Sequence, residues 1–124
     1  MQKQQNGFLT LTRRRRDRHR PRQSNLARLL VELGQYDEGV TLAREQYHAA
    51  RRVFGPNHRV SLHLARTYAL ALGKRATPAD LLEAESVLVD ALPRCRRVLG
   101  TSHPHTQNAQ KFLNELKRMK VVAP

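Results

Sequence analysis

Arg51-Arg52-Val53-Phe54-Gly55-Pro56-Asn57-His58-Arg59-Val60-Ser61 and Arg96-Arg97-Val98-Leu99-Gly100-Thr101-Ser102-His103-Pro104-His105-Thr106 are two forms of one phrase, set 45 residues apart. Self-similarity at such a spacing is the mark of a helical repeat. The match runs backwards with residue class preserved: Tyr36 with Leu81, Gly39 with Ala84, Leu42 with Val87, Ala43 with Leu88, Tyr47 with Leu92 and Ala50 with Cys95. It runs forwards through Ser61 with Thr106, Tyr68 with Leu113 and Ala71 with Leu116. Two copies of one supersecondary unit follow, with the start of a third.

Around this phrase the apolar residues recur at helical intervals. Ser24 is expected to cap a first helix, whose Leu26, Leu29, Leu30 and Leu33 repeat at i, i+3, i+4 and i+7. Gly34 ends it. Val40, Ala43, Tyr47, Ala50 and Phe54 line a second helix, stopped at Gly55-Pro56. Gly39 lies inside it opposite Ala84, and a small residue at both places points to close approach of a neighbouring helix. Asn57 is read as the cap of a third helix over 58–74, with Leu62, Ala65, Ala69 and Leu72 on one stripe and Leu64, Tyr68 and Ala71 on another. Two adjacent stripes suit an inner helix covered on both sides.

Gly73 to Ala76 loosens the chain, and Thr77-Pro78-Ala79-Asp80 restarts it with a cap, a proline at the first helical position and an acid in the first turn. Leu81, Ala84, Leu88, Ala91, Cys95 and Leu99 form the fourth stripe. Pro93 inside it predicts a kink. Ser102 is expected to cap a fifth helix carrying Ala109, Phe112, Leu113, Leu116 and Met119. The domain reading is therefore a basic arm over 1–23, one unit over 24–55, a second over 57–100, a partial third or capping helix over 102–120, and a tail over 121–124.

Composition narrows the class. The 124 residues suffice for one domain, and with aromatics at 5% and Trp absent the core must be Leu, Val and Ala. Lys and Arg number 23 against 10 acids, a net charge of +13 that favours acidic partners. Single Cys95 excludes an internal disulfide and, on an apolar stripe, reads as a buried thiol. No apolar run approaches the roughly 20 residues of a membrane span, and no secretory signal core is present. The arm residues Arg13, Arg14, Arg15, Arg16, Arg18, Arg20 and Arg22 read as a solvated, disordered tail, a nuclear-import signal or a phosphate-binding arm, and their composition is also that of an organellar transit peptide. A cytoplasmic protein is the expectation, with the nucleus as the alternative the arm raises.

Laid out in this way, the chain resembles tetratricopeptide repeats, in the longer variety found in kinesin light chains. The phrase R-x-x-L-G-P-x-H-P-x-T of that variety matches Arg51–Ser61 and Arg96–Thr106, and Asn25-Leu26-Ala27 through Gly39 resembles the run that joins its two helices. Residues 73–80 depart from it with a longer connection, and Pro93 is a second departure. The resemblance implies an all-α fold of antiparallel helix pairs stacked as a short right-handed superhelix of about five helices, with first helices lining a concave groove. It implies protein or peptide binding without catalysis. The groove would then hold Asn25 and Arg28 from the first unit, His63, Arg66 and Leu70 from the second, and Asn108 and Lys111 from the third, a set suited to acidic or C-terminal carboxylates. The alternative is a nucleic-acid or phosphate binder using the arm and a basic helical surface. Six histidines have no metal-ligand spacing, and His58 and His103, being repeat-equivalent, are expected to serve helix starts. No metal, cofactor or catalytic residue is expected. A first pair with no cap ahead of it implies a longer array, a partner, or self-association through uncapped ends.

Overall fold

A computed structural model describes residues 19–122, with side chains placed from residue 26 to residue 119. Five helices follow in order: α1 (His19–Glu32), α2 (Tyr36–Phe54), α3 (Arg59–Arg75), α4 (Pro78–Val98) and α5 (Pro104–Val122). α3 touches each of the other four. α1, α3 and α5 are thus neighbours in one layer, and α2 and α4 fill the second between them, an all-α helical repeat. Among the described residues no helix is long and apolar enough to cross a membrane.

The helix ends follow the punctuation closely. Gly34, Gly55 and Gly100 all take positive φ after helices, a region in which a Cβ is costly. Thr77 caps α4: its hydroxyl accepts the Asp80 N–H at 3.1 Å, while Asp80 Oδ2 accepts the Thr77 N–H at 3.3 Å. Buried Asp80 also receives Arg75 Nε at 2.7 Å and its Nη2 at 2.8 Å. The Arg75 guanidinium thereby holds the carboxyl down to about 2. α4 passes through Pro93 as one continuous helix.

Several boundaries differ from expectation. α1 starts at His19, so Ser24 lies within it, and the expected arm overlaps the helix by residues 19–23; residues 1–18 and the end of the tail lie outside the described residues. α3 runs to Arg75, leaving only Ala76 in the left-handed region to turn the chain. The caps of α3 and α5 are not Asn57 and Ser102 but the histidines that follow them. His58 Nδ1 accepts the Val60 N–H at 3.1 Å, and His103 Nδ1 accepts the His105 N–H at 3.0 Å. The shared phrase thus builds the same turn twice.

The core is mostly the expected set: Val40, Ala43, Tyr47 and Ala50 of α2, both stripes of α3, and Ala84, Leu88, Ala91 and Cys95 of α4 are buried, whereas Phe54 of α2 and Met119 of α5, expected on these stripes, are exposed. Burial raises the Cys95 thiol above its ordinary value. α1 departs from its predicted stripe. It buries Ala27 and Val31, while Leu26, Leu29 and Leu33 are exposed. The reason is Gly39. A Cβ there would stand 2.5 Å from Val31 Cγ2 and 3.1 Å from the Ala27 carbonyl oxygen. α2 comes so near to α1 that only small and β-branched residues fit between them, and the leucines are turned outward.

Candidate peptide-binding groove

His63, Arg66 and Leu70 recur at three- and four-residue steps, which places them on one side of α3, and all three are half-buried. α1 and α5 flank this side. From α5 comes His105, whose ring lies 5.3 Å from His63 and 4.9 Å from His103. From α1 comes Arg28, close enough to act on both His63 and Arg66. Four cationic or ionisable side chains from three first helices therefore converge on one place.

Their electrostatics are one-sided. His63 is pushed down to about 4, first by burial and then by the charges of Arg66, His105 and Arg28. Arg66 is lowered by burial and then by Arg28. His105 is lowered by burial, then by Arg66 and His103. Every shift opposes positive charge, as expected where burial, and after it the crowding of cations, disfavours the charged form. Two shielded atoms here, Arg66 Nε and His63 Nδ1, have no hydrogen-bond partner.

Four of the described acids, Glu83, Asp90, Asp37 and Asp80, are engaged elsewhere. Glu83 accepts from Tyr68 and pairs with Arg44 at 3.6 Å, and Arg44 Nε donates to the Tyr68 hydroxyl at 2.8 Å. Asp90 binds Arg51 at 3.1 Å and Arg94 at 3.2 Å. Asp37 and Asp80 share Arg75. Apart from Asp90–Arg94, which lies within α4, these pairs tie helices to one another. Among the described residues, none of the ion pairs includes Arg28 or Arg66.

Beside the cluster, and sharing His63 and His105 with it, lies an open hollow of about 830 Å³ lined by Val53, Phe54, Val60, Leu64 and Leu99. Its wall is mostly carbon. Val53 and Phe54 stay exposed on its rim, where the Phe54 ring stacks on His58 at 4.6 Å between centroids.

Of the residues expected in a groove, Arg28, His63 and Arg66 are together and Leu70 continues their line on α3. Asn108 is exposed on α5. Lys111 lines a separate hollow with Arg96, Thr101 and Gln107. The side chain of Asn25 lies outside those described. His105 and the apolar hollow were not foreseen, and His103 was expected only to serve a helix start. Their only signal was the repeated phrase itself, which sets His103 and His105 two residues apart at the start of a helix. Among the described residues no group of three His, Cys, Asp or Glu could hold a metal ion.

A family model described as tetratricopeptide repeat matches residues 22–59 and 80–105, together just over half of the chain. The gap between the two matches falls on most of α3 and its short connection to α4, where the helical pairing nevertheless continues. No curated protein and no solved structure matches the chain.

Proposed function

The chain belongs to the tetratricopeptide repeat family, and from that premise we propose that it is a non-catalytic module that binds an extended peptide, or a segment of a partner protein, on the side formed by α1, α3 and α5. Proteins of this family are in general protein-interaction modules. The observation that carries the ligand class is the pair of shielded, unpartnered donors and acceptors, Arg66 Nε and His63 Nδ1, in a cluster without an acid. A half-buried guanidinium lacking a counter-ion carries a desolvation cost, and a ligand carboxylate that meets it relieves that cost while making charge-assisted hydrogen bonds. The adjoining hollow takes a large apolar side chain. The preferred ligand is therefore a peptide with an acidic residue near a bulky apolar one.

The test is a fluorescence-anisotropy titration of the full chain with a peptide set that varies carboxylates and apolar residues independently. Replacing the acid by its amide, or Arg66 by Gln in the protein, is expected to weaken binding about 10- to 100-fold, the worth of one hydrogen bond to a charged group. Filling the hollow with Ala49→Trp, at a half-buried position on its wall, weakens the same peptides and spares none that depend on the apolar residue. Equal binding of acid and amide peptides would remove the reading. So would a stronger interaction with a single-stranded oligonucleotide that collapses steeply with salt.

A further inference from the structure

α1 is a first helix with no second helix ahead of it among the described residues, and repeat equivalence shows what this leaves bare. Leu26 corresponds to Tyr68 and Leu29 to Ala71 on α3, and to Leu113 and Leu116 on α5. Those four equivalents are buried. On α1, by contrast, Leu26 is 50%, Leu29 49% and Leu33 65% exposed. With half-buried Leu30 they make a seam at i, i+3, i+4 and i+7, the pattern that two helices share when they pack along their length.

We propose that this seam is covered by α1 of a second copy of the chain, packed antiparallel about a two-fold axis between Leu29 and Leu30. This goes beyond the groove reading and does not depend on it. Antiparallel packing sets Leu26 against Leu33 of the second copy and Leu29 against its Leu30. Charge selects both the occupant and the direction. A chain of net charge +13 repels its own copy over most orientations. Along α1, however, charge is divided by end: Arg20 and Arg22 belong to the helix start and exposed Arg28 to its middle, while exposed Glu32 and Glu38 lie at its end and in the first turn of α2. The antiparallel arrangement brings the basic end of each copy to the acidic end of the other, twice. A parallel pair would bring like ends together. Because the contact is self-complementary, it closes as a dimer and leaves no surface for further growth.

Sedimentation velocity on the full chain, across a concentration series reaching the sub-millimolar range, tests this. The expected result is a mass rising from 14.3 kDa to twice that value. Leu29→Glu should raise the dissociation constant at least about tenfold, the effect of losing one central anchor of an interface. Its far-UV circular dichroism should be unchanged, since Leu29 is half exposed in the single chain. Glu32→Lys should weaken the dimer too, whereas Leu82→Glu, on the exposed side of α4, should leave it intact. A monomer at every concentration, whether the seam stays bare or residues 1–18 fold back over it, overturns the proposal. So does a dimer that Leu29→Glu leaves unchanged.

Discussion

His63 shows how one side chain can be read for stability and for binding at once. Its folded value of about 4 lies below the ordinary 6.5, because burial and three neighbouring cations disfavour the imidazolium. The fold therefore holds the neutral ring. The stabilisation it contributes is complete above pH 6.5 and is lost as the pH falls from there through about 4. The melting midpoint is expected to decline over that window, and His63→Gln, which cannot take up the proton, should flatten the decline; thermal melts at half-unit pH steps would show it. At this scale the sequence was partly legible. Repeat equivalence correctly assigned His58 and His103 to helix starts. It did not show that they are the caps, because Asn57 and Ser102 rank higher by preference. Only the turn geometry aims each imidazole at the N–H two residues on.

Among the helices, α1 is the one whose inner side was misjudged. Its sequence carries two candidate stripes, four leucines on one and Ala27 with Val31 on the other, and hydropathy alone favours the leucines. Gly39 on α2 decides the matter by admitting Val31 and the Ala27 backbone to van der Waals contact. Gly39→Ala is a sharp test of that contact. Helix propensity alone would make the change favourable by roughly 1 kcal/mol. Overpacking against the Ala27 carbonyl and the Val31 amide, which cannot swing aside, should reverse the sign and cost a net of about 1–2 kcal/mol in urea unfolding. The same close-packing logic recurs where the Phe112 ring of α5 lies over Gly73 of α3.

In the whole molecule α3 is the hinge of the packing, buried on both stripes and touching every other helix. Unfolding either repeat strips one side of α3, so the two repeats should melt together. A single transition is expected, with tyrosine fluorescence and far-UV circular dichroism coinciding, since Tyr47 of α2 and Tyr68 of α3 stack at 5.4 Å in the middle of the core. Two separated transitions would mean that the repeats unfold independently. The repeated phrase, the glycine and threonine punctuation and the helical periodicity were enough, as sequence, to determine five helices, their pairing and the family. The resemblance to the family, in turn, implied Arg28, His63 and Arg66 as candidates for a binding side. Tertiary structure alone decided that α1 turns its leucines outward, that His105 meets His63 across two helices, and that an apolar hollow opens beside them. Periodicity records the polarity of each side of a helix. Which side meets a neighbour depends on how near the two backbones come, and that distance is set by side-chain volumes on both helices together.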